Sequence, residues 1–454
     1  ALAEHSIRAD HALHIIRFCS LAGEQAFLKN SLSDALKYFG KVLEKMETED
    51  AARLAIQLKV CDIYTAMGNY TAAETVLSDL LAKGESHPLK VRVTANNKLA
   101  ETLQRQGKYS EALARLNDSL AIIKAPLFKS NFKFAIALDR TFIFILSRVK
   151  VPTPSPGRVE RLTLLCDTLR RLWMVMVIVD NKSMLHISYR FLRVAIQLGR
   201  PVEMATAHQY LALTVCNTPT PNFKAGLMHS QMAMDLGQSI GAHEIVAGAL
   251  IRIAAFLTWQ AKSREAISYS ERARETLLAV GNMWDLGNAI IFSYFSNRTL
   301  GKLTEALSSA QGLLRLGERT GSKGLVSSGS SKIADVLFLQ GNLSEAEKNL
   351  DVAMQVAEKN NLKFDFFQAL KVAGFSRLHR GQLNEARGFF ARAIKLNEEA
   401  KGSFFTAYVQ EAYLGWIESY LKDKVQMEQL LRTDSTEIKT IRKYLLQAAA
   451  IEKN

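Results

Sequence analysis

The sequence has little proline, little cysteine and no long apolar run. Its 454 residues contain 8 prolines, too few for a fold that depends on many short turns. The four cysteines are far apart and form no Cys-x-x-Cys pair, which excludes a disulfide scaffold or zinc ribbon and favours a reducing compartment. The longest apolar run, Leu172 to Val179, is eight residues, whereas a membrane span needs about 20. We therefore expect a cytoplasmic protein that does not enter a membrane.

The sequence also lacks the short motifs of common catalytic sites. It contains no Gly-x4-Gly-Lys-Ser/Thr phosphate loop and no Gly-x-Ser-x-Gly nucleophile elbow. His243-Glu244 begins like a zinc-protease motif without its second His, and His11 and His14 have no clear third ligand. We expect no catalytic residue, no metal and no cofactor in this chain. An enzyme with an unrecognised site is the least favoured hypothesis.

The composition is that of a folded protein, with 48% hydrophobic and 22% charged residues. The first residues have neither an initiator Met nor the apolar core of a signal peptide. A helical pattern is already under way at Ala1, and we interpret the chain as a piece of a longer protein.

One turn signature recurs along the chain: Gly, any residue, Leu or Tyr, two residues, then Ala. Its last positions are 35, 73, 112, 226, 266, 306, 346 and 386, with intervals of 38, 39, 114, 40, 40, 40 and 40 residues. We interpret the interval of 114 as three periods of 38. The copies are Gly68-Asn-Tyr-Thr-Ala-Ala73, Gly107-Lys-Tyr-Ser-Glu-Ala112, Gly301-Lys-Leu-Thr-Glu-Ala306, Gly341-Asn-Leu-Ser-Glu-Ala346 and Gly381-Gln-Leu-Asn-Glu-Ala386, the variants Asn30-Ser-Leu-Ser-Asp-Ala35 and Ala261-Lys-Ser-Arg-Glu-Ala266, and a weaker copy at Gly226.

This signature predicts pairs of helices. Glycine at a helix end accepts the left-handed conformation that closes the helix, and Ser or Thr can cap the next one. Twelve residues before each final Ala stands a small residue that lets paired helices approach, with Tyr294 as the exception. The small residues are Gly23, Cys61, Ala100, Ala254, Ala334 and Gly374. We predict an all-α fold, an α-solenoid forming a right-handed superhelix of about 10–11 helix pairs with a period of 38–40 residues.

These residues resemble the tetratricopeptide repeat (TPR), as in the series Ala334, Gly341, Ala346 and Ala353. The usual aromatic residue near the start of the first helix is absent in most copies, and the period exceeds the usual 34 residues. We therefore expect longer helices than in that family. HEAT-type repeats have a similar length but lack this turn signature, so they rank second.

The repeat is regular at both ends of the chain and weak in the middle. We predict TPR-like repeats over 1–125, degenerate basic repeats over 126–200 with a proline-rich loop at 151–157, regular 40-residue repeats over 201–421, and a capping helix over 422–454. A break or hinge near 150–157 is the alternative to a continuous solenoid.

Basic residues concentrate in the weak region. Residues 121–200 hold 14 Lys or Arg against 4 acidic residues. The excess is compatible with a solvated helix face, an acidic protein partner or domain, or a nucleic acid; we find no recognised nucleic-acid motif, so a nucleic acid is the least favoured. The predicted basic patch consists of Lys129, Lys133, Arg148, Lys150, Arg158, Arg161, Arg170 and Arg171.

In a solenoid of this type the first helices of the pairs line the concave surface that binds a partner. Counting from the turns places polar and aromatic residues on that surface. Aromatic residues beside Arg and Lys dominate binding hot spots, although Phe and Trp at helical spacing belong to the core more often. The predicted groove residues are Asn97, Glu101, Arg105, Trp259, Phe295, Arg298, Asp335, Phe338, Lys371, Phe375 and His379.

Junctions such as Gln197-Leu-Gly-Arg-Pro201 resemble one branch of these repeats, the sensor regions of signal-transduction ATPases (STAND type) linked to class III nucleotidyl cyclases, serine/threonine kinases or maltose-regulator-like transcription factors. The resemblance implies a non-catalytic sensor module that binds a protein, a peptide or a small inducer and regulates an ATPase absent from this chain. A stand-alone scaffold for protein–protein interaction is the alternative.

Overall fold

The computed structural model describes residues 2–28, 31–47, 51–67, 69–106, 108–127, 132–149, 152–179, 183–218, 221–399, 406–423 and 438–439. These residues form α-helices and one short 3-10 turn, without any strand. The helices are α1 (Leu2–Arg8), α2 (Ala12–Leu28), α3 (Leu32–Lys45), α4 (Ala51–Ala66), α5 (Tyr70–Ala82), α6 (Leu89–Arg105), α7 (Tyr109–Ile122), α8 (Phe132–Leu146), α9 (Pro156–Val179), α10 (Met184–Leu198), α11 (Pro201–Cys216), α12 (Phe223–Ser239), α13 (His243–Trp259), α14 (Ser263–Val280), α15 (Met283–Thr299), α16 (Leu303–Thr320), α17 (Lys323–Leu339), α18 (Leu343–Lys359), α19 (Lys363–His379), α20 (Leu383–Glu399) and α21 (Thr406–Leu421).

The chain divides into two compact units. The first comprises residues 1–141 and 146–176, and the second comprises residues 142–145 and 177–454. The division therefore falls inside α9 and not in the proline-rich segment near 150–157. Consecutive helices pack against each other from α1 to α7 in the first unit and from α10 to α21 in the second, which confirms the all-α solenoid of helix pairs. We call the first helix of a pair its A helix and the second its B helix.

Left-handed residues close the helices of the second unit every 20 residues. The predicted turn residues Gly301, Gly341 and Gly381 have φ of 71°, 81° and 74°, and Ala261 takes the same conformation with φ of 58°. A second series, which the turn signature did not include, ends the B helices. Its members are Gly241, Gly281, Gly321 and Asn361. Gly68, Gly107 and Asn30 lie outside the described residues.

The small residues predicted in the A helices are contact points between paired helices. A Cβ placed on Gly23 of α2 would lie 2.8 Å from the ring of Phe39 on α3. A Cβ on Gly374 of α19 would lie 2.6 Å from the ring of Phe390 on α20. Both phenylalanines are fully buried. The two units thus use the same glycine-on-phenylalanine packing to bring the helices of a pair together.

Polar side chains connect each A helix to the next. In the first unit the hydroxyls of Thr65 (α4) and Thr102 (α6) lie 3.1 Å apart. In the second unit the hydroxyls of Thr258 (α13) and Ser296 (α15) lie 3.0 Å apart. These pairs are separated by 37 and 38 residues, close to the repeat period, so they form one ladder along each stack of A helices.

Helix α8 interrupts this order. The polar partners of α6 on its far side belong to α9, 70 to 71 residues further along the chain instead of about one period. The interpretation of the 114-residue interval as three periods of 38 is therefore wrong: α8 and its connections are inserted before α9, which takes the next place in the ladder. The predicted loop at 151–157 is also too long, because α9 begins at Pro156. Proline is favoured in the first turn, where its missing N–H has no helical partner.

No helix among the described residues has the length and apolarity to span a bilayer. The predicted capping helix over 422–454 lies almost entirely outside the described residues.

Candidate functional site

Five of the eleven predicted groove residues belong to two polar clusters, one in each unit. In the first unit, Asn97 on α6 is completely buried. Its amide donates to Asp167 at 2.9 Å and to Thr168 at 3.0 Å, and its carbonyl oxygen accepts from Ser119 at 2.9 Å. Asn97 is therefore a connector between α6, α7 and α9 and does not face a groove.

The same cluster contains two residues of the predicted basic patch. Arg171 forms ion pairs with Glu101 and with Asp167, and Arg170 reaches Asp167 at 2.8 Å. Burial raises the pKa of Asp167, but the neighbouring Arg171 and Arg170 outweigh it and lower that pKa to about 2. Glu101 and Asp167 thus neutralise Arg170 and Arg171 within the unit. We call Asn97, Glu101, Asp167, Thr168 and Arg171 the α6–α9 cluster.

The rest of the predicted basic patch does not converge. Arg161 donates to the backbone oxygens of Ile123 at 2.9 Å and Lys124 at 3.1 Å, where it caps the end of α7. Lys133, Arg148 and Arg158 are exposed. Lys129 and Lys150, and the side chain of Arg105, lie outside the described part of the chain.

In the second unit, α15 and α17 are joined by a charged pair. Arg298 donates two hydrogen bonds to the Asp335 carboxylate, of 2.5 and 3.2 Å. The hydroxyl of Tyr294 donates to the same carboxylate. Tyr294 is the one large residue at the small-residue position of the repeat, and it is 1% exposed. That exception to the repeat pattern was the signal that could have identified Tyr294.

Lys332 lies beside this pair on α17 and was not predicted. It is 8% exposed, its ammonium donates to Ser328 at 2.8 Å, and it lies 5.6 and 5.3 Å from the ring centres of Tyr294 and Phe295. Among the described residues no carboxylate lies within ion-pair distance of it. Burial lowers the pKa of Lys332 to about 8, and burial raises the pKa of nearby Asp365 on α19 to about 6.

Lys371 on α19 extends the charged region to α21. Its ammonium pairs with Glu411 and lies 5.2 Å from the ring centre of Tyr408. Neither Glu411 nor Tyr408 was predicted, although Glu411 follows Lys371 by one repeat period. We call Arg298, Lys332, Asp335, Asp365, Lys371, Tyr408 and Glu411 the A-helix cluster, because successive A helices supply all of its members.

The remaining predicted groove residues divide between this cluster and the core. Phe295 lies against Tyr408 with ring centres 5.7 Å apart, and Trp259 donates a hydrogen bond to the Tyr408 side chain. Phe375 packs edge-on against Phe390 of α20 at 5.0 Å and is therefore part of the helix-pair core.

Phe338 and His379 form a separate contact. Their rings lie 5.5 Å apart at the ends of α17 and α19, and His379 is exposed.

A neutral histidine pair lies elsewhere in the second unit. The Nδ1 atoms of His208 on α11 and His229 on α12 are 3.0 Å apart. Burial, with a smaller effect of His229, lowers the pKa of His208 to about 4. This hydrogen bond needs one Nδ1 that carries a hydrogen and one that does not, so the two rings cannot both be charged.

Other chemistry is sparse in the described part of the chain. It contains no group of three His, Cys, Asp or Glu side chains that could hold a metal. All four cysteines are buried, and burial raises the pKa of Cys61 and of Cys216 to about 12. A cleft of about 450 Å³ between α16, α17 and α18 has an apolar floor that includes Leu314 and Ile333. The A-helix cluster brings charged and aromatic side chains of four A helices together.

No known protein family and no curated protein matches the sequence. Solved structures with a similar fold include a Rap protein complexed with competence and sporulation factor, with 11% identity, 91% of this chain and 99% of that chain covered, and a TM-score of 0.46. Aspartyl phosphate phosphatase F from Bacillus subtilis has 12% identity, 84% and 94% coverage, and a TM-score of 0.45.

A signal-transduction ATPase with a tetratricopeptide repeat sensor from Pyrococcus horikoshii has 14% identity and a TM-score of 0.46. The match covers 77% of this chain and 48% of that protein. The helix pairs, their left-handed turns and their period make this chain a solenoid of TPR-like repeats.

Proposed function

We propose that this chain is a non-catalytic binding module that captures a protein segment or a small ligand at the A-helix cluster. The observation that carries the proposal is the convergence of Arg298, Lys332, Asp335 and Lys371 from three successive A helices, with both lysines buried. At the position of Lys332 the neighbouring repeats carry Phe292 and Val372, so the packing of helix pairs does not require a charge there.

Buried charges are a poor way to stabilise a fold. Replacing a buried ion pair by well-packed apolar residues is often neutral or stabilising, by about 1–4 kcal/mol. Lys332 is the extreme case, because its ammonium is buried against two aromatic rings with a single hydroxyl as hydrogen-bond partner. A set of residues that weakens the fold is expected where binding requires it. This argument supports a binding site rather than a structural cluster.

We further propose that binding regulates a signalling ATPase elsewhere in the same protein. This part of the proposal comes from the sequence resemblance alone. It predicts that the coding sequence upstream of Ala1 contains Gly-x4-Gly-Lys-Ser/Thr. A scaffold that acts alone requires no such motif, so reading the upstream sequence separates the two.

The binding site is tested with a phage-displayed library of random peptides selected on this chain. We expect selected peptides to lose binding at least ten-fold when Arg298 or Lys371 is replaced by Glu. The matched control is Lys348→Glu, a charge reversal on the B helix α18 at a side chain that is 68% exposed. Selected peptides that bind all three variants with unchanged affinity would place the site elsewhere.

A further inference from the structure

We infer that the A-helix cluster contains a subsite for an aromatic, hydroxyl-bearing side chain of the ligand, and that Tyr408 fills it from within the chain. The inference rests on the proposed function and specifies one part of the ligand. Its evidence is the position of Tyr408, at the start of α21, among residues of three other A helices.

Tyr408 has both aromatic and polar contacts. Its ring lies 5.7 Å from Phe295 on α15 and 5.8 Å from Phe364 on α19, measured between ring centres. The ammonium of Lys371 lies 5.2 Å from its ring centre. The indole of Trp259 on α13 donates to its hydroxyl. Rings, a cation over the ring and a donor to the hydroxyl are the complete recognition set for a phenol.

The reach of Tyr408 distinguishes it from the ladder contacts. The ladder joins neighbouring A helices about one repeat period apart, as for Arg298 and Asp335, which are 37 residues apart. Tyr408 instead meets Trp259, four repeats earlier, and Phe295, three repeats earlier. A repeat needs no such contact to pack on its neighbour, so Tyr408 is not explained by the stacking of helix pairs.

Tyr408 lies on α21, the last A helix among the described residues. Helix α21 packs against α19 and α20. Tyr408 remains partly exposed, whereas Tyr413 on the same helix is 4% exposed and belongs to the core. A side chain with specific contacts and partial exposure can be replaced by a ligand group of the same chemistry with little change in the pairs beneath it.

The test removes the internal occupant and supplies the side chain as a small probe. Tyr408→Ala is titrated with N-acetyl-L-tyrosinamide by calorimetry, and we expect binding at least ten-fold tighter than to the wild-type chain, where Tyr408 competes. The matched control is Tyr420→Ala, which deletes a tyrosine ring of the same helix that packs on Trp416 and Arg387 instead. The control should bind the probe no better than the wild type.

If Tyr408→Ala folds poorly, melting temperatures measured with and without the same probe still test the inference. Since a ligand that binds only the folded state stabilises it, N-acetyl-L-tyrosinamide should raise the melting temperature of Tyr408→Ala, and N-acetyl-L-leucinamide should not. Equal responses of the two variants, or of the two probes, would overturn the inference. If Tyr408→Ala binds the probe but the library yields no binding peptide, the result counts against the proposed function. If peptides are selected but the probe does not bind, the result counts against the subsite alone.

Discussion

Each unit has one polar cluster on its A helices, and the two clusters differ in how their charged side chains are paired. In the α6–α9 cluster each polar group has a partner: Asn97 uses its amide fully, and Arg171 lies between Glu101 and Asp167. In the A-helix cluster Lys332 has a hydroxyl and two rings as neighbours, and no carboxylate of the described residues lies within ion-pair distance of it. The same residue types therefore form a fully paired joint in one unit and an incompletely paired cluster in the other, where we propose that a ligand binds.

Packing does not account for this difference. The pairs Gly23–Phe39 and Gly374–Phe390 place a glycine against a buried phenylalanine ring in the same way in both units. What distinguishes the clusters is the balance of charge partners. Substitutions that remove one charge from each cluster should then have opposite effects on stability.

The largest effect is expected for Asp167→Ala. The substitution leaves the partly buried Arg171 with one carboxylate partner and the Asn97 amide with one fewer acceptor. Breaking an ion pair that is partly buried in this way costs up to about 3 kcal/mol. The free energy of unfolding from urea titration should fall by that amount. The control is Asp118→Ala, whose carboxylate lies 3.6 Å from Arg115 in an exposed pair and which should change stability by less than about 0.5 kcal/mol. Equal losses in the two variants would mean that the cluster is not a structural joint.

The next effect concerns the acid sensitivity of the second unit. The pKa of His208 is about 4 in the folded chain against 6.5 for an unperturbed histidine, so its contribution is complete above pH 6.5 and is lost as pH falls to 4, by up to about 3 kcal/mol. His208→Asn does not titrate and should flatten the stability profile over that range.

The profile is measured by thermal unfolding at a series of pH values. His243→Asn, at an exposed histidine, is the control and should follow the wild-type profile. A His208→Asn profile parallel to the wild type would show that the histidine pair does not set the acid limit.

The smallest expected effect is a gain in stability. Lys332→Met removes a desolvated ammonium from the A-helix cluster and keeps a side chain of similar length, so stability should rise by about 1 kcal/mol. The pKa of Lys332 is lowered from 10.5 to about 8 by burial, so the penalty is complete below pH 8 and disappears as pH rises towards 10.5.

The gain should therefore fade over the same pH range in chemical unfolding experiments. Lys348→Met, on the exposed side of α18, is the control and should show no gain in stability. A loss of stability in Lys332→Met would make Lys332 a structural residue like Arg171 and would remove the difference between the two clusters.

Some residues of the site could be predicted from the sequence, and others could not. Arg298, Asp335 and Lys371 followed from counting along the repeat, and Tyr294 was marked by its size at a small-residue position. Asn97 was placed in a groove, whereas α9 covers it, because the repeat count did not anticipate the insertion of α8. The period alone does not tell which helix follows α6 in space.

Local physical chemistry determined the helices, their left-handed turns and their 40-residue rhythm, because each depends on residues within one or two turns of the chain. Tertiary structure decided which charges found partners and that Tyr408 meets Trp259. Those contacts depend on small rotations between helix pairs that accumulate over several repeats, and no short stretch of sequence encodes their sum.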